Sequence, residues 1–394
     1  MALAFMQHRI AVSSMFVMNG ALVGSWAPAI PYFKDKQGLS ESELGLSLLL
    51  IGIGSLVTMP ITGAIIARRG STTILRVAAL ACTAVLPLVL LAPSTVTAFA
   101  ALLVFGGAVG SMDVSMNANA ARIEQVYDRQ IMSSCHGFWS LGALIGSGVG
   151  GTVLGFVGSL GLSVMIAAGL LVGSLVWGSR LMHDEVERGE GIEKPSLTLP
   201  RSLTIYLIAL IALAGFTAEG AVLDWAALYL RDERDVPAWM AGYAFAAFAA
   251  TMASVRFVGD PIRMQLGDQR TMTASSILAF AGFLMAGLAP NLALTIIGFG
   301  VAGLGLANIV PIAFAAADRT PGLPRGIGIS IATFCGYAGI LFAPPVIGFF
   351  AERFSFSVIF AAISVLALLT LAASPTVRRN AHQGSSTTTS TRVG

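Results

Sequence analysis

Apolar residues run along this chain in long stretches, separated by short clusters of charge, proline and glycine. About twelve such stretches stand out, near residues 9–33, 41–67, 72–92, 96–121, 132–156, 160–181, 201–230, 237–259, 271–289, 292–318, 326–350 and 355–375. A helix needs about 20 apolar residues to cross a hydrocarbon layer of about 30 Å. No water enters that layer to satisfy backbone groups, so each stretch must close its hydrogen bonds internally as a helix. The pattern predicts an all-α membrane protein with 12 transmembrane helices. Some connections, such as Ala92-Pro93-Ser94 and Ala289-Pro290-Asn291, carry no charge at all.

The longest polar connection, residues 183–200, mixes acidic and basic residues around Gly189 and Gly191. It divides the chain into an N-terminal six-helix half, 1–182, and a C-terminal six-helix half, 201–376. Residues 377–394, with the run Ser385-Ser386-Thr387-Thr388-Thr389-Ser390, lack apolar content and are expected to form a disordered cytoplasmic tail.

Composition excludes a soluble reading. The chain of 394 residues is 56% hydrophobic and 11% charged, with a mean hydropathy of +0.81, whereas a soluble domain carries about 25% charge. The net charge of +3 comes from scattered basic residues, which argues against a nucleic-acid partner. Of the 23 Lys and Arg, eighteen fall on one side of the predicted topology and five (Lys34, Lys36, Arg231, Arg234 and Arg353) on the other. The positive-inside rule then places both termini in the cytoplasm. His8 and Arg9 precede an apolar run too long for a signal-peptide core, so the first stretch reads as an uncleaved span. Cys82, Cys135 and Cys335 lie in or beside spans and read as small buried hydrophobes.

An internal repeat supports the division. An offset of about 195–197 residues brings Tyr32-Phe33-Lys34 onto Tyr229-Leu230-Arg231, Gly45 onto Gly242, and Gly142 onto Gly339. It also brings Gly63 and Gly70 near Gly259 and Gly267, and Gly110 and Asp113 onto Gly305 and Asn308. Two pseudo-symmetric halves around a central cavity, with a site near the bilayer midplane, is a transporter architecture.

These residues resemble the major facilitator superfamily. The loop GAIIARRGST from Gly63 is similar to that superfamily's signature loop at Gly63, Arg68 and Gly70, and departs from it at Ala67 and Ser71. The resemblance implies a cytoplasmic gate there, with Arg256 and Asp260 in the corresponding role of the second half. DVSMNANA from Asp113, EGAVLDWAALYL from Glu219, GLGLANIVPIAF from Gly303 and CHGFWSLG from Cys135 narrow the match. They are similar to a largely uncharacterised bacterial inner-membrane permease group related to fucose-permease-like transporters. The resemblance covers about residues 9–374 and implies a monomer in the inner membrane.

Charge inside a bilayer is costly, so each intramembrane ionisable group is a functional candidate. Gly106, Gly110, Asp113 and Asn117 share one helix face, small residues first and then polar ones. Asp113 there can carry a proton, or can serve as an interhelical hydrogen-bonding group, for example to His136. Glu219 falls about midway along the seventh span, and Asp224 with Trp225 lies further outward as a gate or a solvated end. His136, Trp139 and Ser140 share a face of the fifth span, and histidine titrates near neutral pH. Asn19 and Trp26 share a face of the first span, with Asn308 and Tyr337 as candidate counterparts. Proton coupling is therefore expected from Asp113, Glu219 and His136. Substrate contacts are expected from Asn19, Trp26, Asn117, Trp139, Asp224, Trp225, Asn308 and Tyr337. Gly142, Gly146 and Gly150, four residues apart, allow close helix approach.

No cofactor is indicated. Gly298, Gly300 and Gly303 match G-x-G-x-x-G but lie inside an apolar run with no preceding strand; there is no P-loop, and four scattered histidines lack metal-ligand spacing. The expected partners are a small-molecule substrate, protons and the lipid bilayer. The leading reading is a secondary transporter of a small polar solute, sugar-like or polar organic, and not an enzyme. Three alternatives stand beside it: a proton-driven exporter of drugs or amphiphiles, a sensor on a transporter fold, and an intramembrane hydrolase using Ser140 and His136.

Overall fold

The computed structural model describes residues 2–182, 202–321, 323 and 327–378. The predicted loop at 183–200 and nearly all of the tail at 377–394 lie outside the described residues. Within them the chain is all helical: α1 (Ala2–Trp26), α2 (Ile30–Gln37), α3 (Glu41–Arg69), α4 (Ser71–Leu90), α5 (Thr95–Tyr127), α6 (Met132–Gly178), α7 (Leu203–Arg234), α8 (Tyr243–Leu266), α9 (Asp268–Leu288), α10 (Leu292–Leu306), α11 (Ile309–Asp318), α12 (Ile327–Ala351) and α13 (Phe356–Ala373).

Eleven helical stretches are long and apolar enough to cross a membrane. The difference from twelve arises at α6, which runs 47 residues through the boundary expected at 157–159. A straight helix of that length would extend about 70 Å at 1.5 Å per residue, more than twice the hydrocarbon thickness. Gly158 interrupts it with φ 87 and ψ −177, a conformation open to glycine alone. Two further spans are broken. Residues 27–29 form a 3-10 turn carrying Pro28 between α1 and α2, and a turn at Ala307–Asn308 separates α10 from α11.

Capping chemistry sets the helix ends. Ser40 and Glu43 form a capping box on α3, Ser94 and Thr97 do so on α5, and Asn291 accepts from the Leu294 N–H on α10. The same backbone forms recur 197 residues apart. Gly38 and Asp235 are both left-handed, Gly70 and Gly267 have φ 78 and 79, and Ser94 and Asn291 share an extended N-cap. Gly106 packs on the Ile51 backbone as Gly303 packs on that of Phe248, at the same offset.

Glycine governs the closest packing. A Cβ on Gly20 would stand 2.0 Å from the Trp139 carbonyl oxygen, and one on Gly24 2.2 Å from that of Ala143. From the other side, Gly142 and Gly146 meet the carbonyls of Val17 and Ala21. The small-residue spacing expected on the fifth span thus lets α1 and α6 touch backbone to backbone. Large apolar side chains such as Phe156, Leu175 and Phe334 are exposed around the perimeter, as a lipid-facing surface requires.

Contacts between α1–α6 and α7–α13 define two faces. The terminal face holds His8, Tyr127, Ser133 and Arg180; the far face holds Asp35, Glu41, Leu90, Arg231 and Glu352. Helices α3 and α12 approach closely at Gly45 on Pro344, Gly52 on Leu341 and Gly348 on Glu41, all in the parts nearer the far face. Arg231 adds an ion pair to Asp35 at 2.7 Å and a hydrogen bond to the Pro31 carbonyl at 3.0 Å. Ser147 donates to the Gly242 carbonyl at 2.7 Å between α6 and α8.

Candidate functional site

The polar residues of the interior fall into two linked groups. The first is built on the α1–α6 crossing. Because Gly20 lets the backbones touch, the Trp139 indole reaches Asn19 one residue along and donates to its Oδ1 at 2.9 Å. The Asn19 amide donates in turn to the Val109 carbonyl on α5 at 3.4 Å, a long contact. One helical turn further along α5 stands Asp113. Asn117 Nδ2 donates to the Asp113 carboxylate at 3.2 Å and to its backbone carbonyl at 2.9 Å. Asp113 thus satisfies one oxygen within its own helix, as i, i+4 spacing allows, and does not bond His136. Tyr337 on α12 lies within electrostatic range of Asp113 and stacks on Phe216 of α7, with ring centroids 5.8 Å apart.

The second group surrounds Arg256. Its NH2 lies 3.7 Å from Glu219 Oε1, and its NH1 donates to Ser140 Oγ at 2.7 Å. The first contact joins α8 to α7, and the second joins α8 to α6. His136, one turn before Ser140, packs edge-on against Phe16 with centroids 5.4 Å apart and lies within electrostatic range of Arg256. The Ser140 hydroxyl donates to the His136 backbone carbonyl at 3.2 Å rather than to its ring. That geometry lacks the nucleophile–base bond a hydrolase would use.

Of the expected site residues, Asn19 and Trp139 are bonded to each other, Asn117 is bonded to Asp113, and Tyr337 lies within electrostatic range of Asp113. The four other expected substrate contacts are buried and make none of these contacts. Trp26 is 2% exposed and packs against Phe33 and Phe105. Trp225 is fully buried against Phe356 and Gly348. Both fill space between helices. Asp224 is 9% exposed, not a solvated end, with no hydrogen bond or ion pair among the described residues. Asn308 is buried at the α10–α11 break, at the N-cap position of the second piece, with no side-chain capping bond.

The expected gate divides. Gly70 supplies the positive φ that turns α3 into α4, Gly63 faces open space, and Arg68 is exposed with no ion pair among the described residues. The Asp260 side chain lies outside the described residues. Among the described residues Arg256 meets Glu219 and Ser140, a link the sequence reading missed because it joins three different helices. Phe216, three residues before Glu219, was also missed, although i, i+3 spacing puts both on one face.

A polar mouth of about 330 Å³ opens beside this group on the terminal face. Arg9, Glu124, Ser133, Ser134, Arg256 and Phe257 are among its lining residues. Glu124 is committed there, accepting the N–H groups of Ile131 at 2.6 Å and Met132 at 2.8 Å at the start of α6.

The sequence and the fold are similar to those of known proteins. Residues 12–301 match the model of the Major Facilitator Superfamily. An uncharacterised MFS-type transporter of Yersinia pestis is 35% identical over 369 residues, covering 93% of this chain and 94% of that protein. A variant of the nucleoside transporter NupG superposes with a TM-score of 0.76 at 15% identity, over 93% of this chain and 99% of that one. A variant of the E. coli fucose:proton symporter FucP gives 0.63 at 13% identity, over 96% and 100%. These two likenesses concern the fold. The family match over most of the helices and the 35% identity across nearly the whole chain establish that this protein belongs to the Major Facilitator Superfamily of membrane transporters.

Proposed function

We propose that the chain is a secondary active transporter that moves a small polar solute, sugar-like or polar organic, by alternating access. Protons are coupled through Asp113 and Glu219, with His136 beside them. Asp113 carries the reading: it is a carboxylate deep in a membrane-crossing helix, bonded to a neutral amide and to no fixed cation. Such a group can gain and lose a proton without stranding a partner charge. Asn19, Asn117, Trp139 and Tyr337 around it supply amides and ring faces suited to hydroxyl-rich ligands. An exporter of amphiphiles would want a more apolar lining. The fucose:proton symporter and the nucleoside transporter, as fold relatives, support both coupling and a polar cargo.

The architecture that serves this function has twelve crossings in two pseudo-symmetric halves, 1–182 and 201–376. The Gly158 break supports counting α6 twice, and the 197-residue recurrence of caps and glycine contacts supports the symmetry. The lysine and arginine bias makes the terminal face cytoplasmic, in a bacterial inner membrane. The far face is then closed by Gly45, Gly348 and Arg231, with the polar mouth opening to the cytoplasm. One chain encloses the whole site, so a monomer suffices. Uphill uptake by Asp113→Asn is the test: the reading expects accumulation to be lost while binding persists, and full accumulation would refute the coupling.

A further inference from the structure

The terminal face carries a second opening that the transport reading does not use. It encloses about 480 Å³ between the start of α1 and the chain leaving α6, with Gln7, His8, Ser179 and Arg180 as its polar lining. We propose that this opening holds the phosphate headgroup of an anionic phospholipid from the leaflet at that face. Its walls are fixed from behind. The Gly178 carbonyl accepts from Arg76 Nε at 2.6 Å, and the Met182 carbonyl accepts from Asn119 Nδ2 at 3.0 Å and from the Thr72 hydroxyl. These bonds pin the exit of α6 to α4 and α5. On the other wall, His8 Nδ1 pairs with the Tyr127 hydroxyl at 3.0 Å, which ties α1 to the end of α5.

Arg180 supplies the charge. Its guanidinium lies over the Trp177 ring, 4.9 Å from the centroid, and among the described residues it has no carboxylate partner and no side-chain hydrogen bond. Stacking on the indole holds the planar fork in place and leaves its N–H groups for a phosphate, which they can meet in pairs. The surroundings specify a lipid rather than a free anion. Val172, Leu175, Val176 and Ser179 follow i, i+3, i+4, i+7 spacing on α6 and the residues after it, and all are exposed. On α1, Leu3, Met6, Gln7 and Ile10 form one exposed face in the same way. Ser179 and Gln7 thus each head an exposed apolar stripe that leads from the opening towards the bilayer interior. A phospholipid satisfies the guanidinium and both stripes at once, whereas a soluble phosphate leaves the stripes uncovered. Basic openings between membrane helices are suited to anionic headgroups, and tryptophan beside arginine is at home at headgroup level.

The inference is independent of solute and proton coupling, and its test reads binding alone. The full chain, stripped of lipid in a maltoside detergent, would be offered phosphatidylglycerol, phosphatidylcholine with the same acyl chains, or inorganic phosphate, and bound lipid would be counted by native mass spectrometry. The expected result is one phosphatidylglycerol retained per chain, in preference to phosphatidylcholine and undisturbed by an equal concentration of inorganic phosphate. Arg180→Gln should weaken retention about tenfold, as loss of a charge-assisted contact predicts. Arg180→Lys should restore part of it, because an ammonium keeps the charge without the fork. Ser179→Asp should weaken retention at least as much by setting a carboxylate in the opening. Residues 179 and 180 are exposed, so these variants should melt with the wild type in the absence of lipid. Arg353→Gln, the same charge change on the far face, should retain lipid as the wild type does. Equal retention of the two lipids, or wild-type retention by Arg180→Gln, overturns the inference. Displacement of the lipid by inorganic phosphate at equal concentration would reassign the opening to a soluble anion and overturn it as well.

Discussion

The indole of Trp139 donates to the side-chain oxygen of Asn19 at 2.9 Å, and the bond exists because α1 and α6 cross on glycine. Gly20 places the Trp139 carbonyl where any side chain would collide, and the neighbouring asparagine receives the ring. Packing and site are thus one construction.

Gly20→Ala should therefore be costly. The added methyl would stand 2.0 Å from a backbone oxygen that cannot step aside. Overpacking of this kind costs about 1–3 kcal/mol, read as a lower melting temperature in detergent. Gly148→Ala, which meets nothing within 4 Å, should melt with the wild type.

Trp139→Phe keeps the ring face and deletes the donor, leaving the buried Asn19 oxygen unpaired. The expected loss is about 1–3 kcal/mol of stability. A double-mutant cycle with Asn19→Ala should show strong non-additivity, because both changes remove the same bond. Additive losses would mean that the bond carries no energy.

At the far face, Ser42 hydrogen-bonds Glu352 across the two halves, its backbone N–H lying 3.3 Å from the carboxylate. These bonds, the hydroxyl's first, hold the Glu352 carboxyl below its ordinary value. A carboxyl depressed in this state favours it above the ordinary carboxylate range, and the benefit is lost as pH falls through the lowered value. Acid below the ordinary carboxylate range should thus help the far face open, increasing labelling of a cysteine introduced at Glu43 (Glu43→Cys). Glu352→Gln should remove that part of the pH response.

The helices were legible in the sequence because hydrocarbon thickness and backbone satisfaction leave so little freedom. The segments near 41–67 and 72–92 correspond to α3 and α4 within two or three residues. The breaks were harder to see. Those at 27–29 and 307–308 lie inside segments read as continuous spans, whereas Gly158 falls in the boundary read at 157–159. The central residues of the site were legible because Asp113 and Asn117 share a helix face, and a charge in an apolar run is conspicuous. That Trp26 and Trp225 are buried against phenylalanines was not legible, because a tryptophan beside a polar residue looks the same in sequence whether it faces a cavity or a neighbouring ring. The Arg256–Ser140 bond lay beyond one-dimensional reasoning, since it depends on which helices meet.

The most direct test of proton-coupled transport uses the purified protein in liposomes with an internal pH dye. Sugars, sugar acids, polyols and nucleosides would be offered in turn. The account predicts a saturable pH change specific to one class of solute, abolished by Asp113→Asn. Solute flux with no accompanying proton movement, or an Asp113→Asn variant that moves protons as the wild type does, would contradict it.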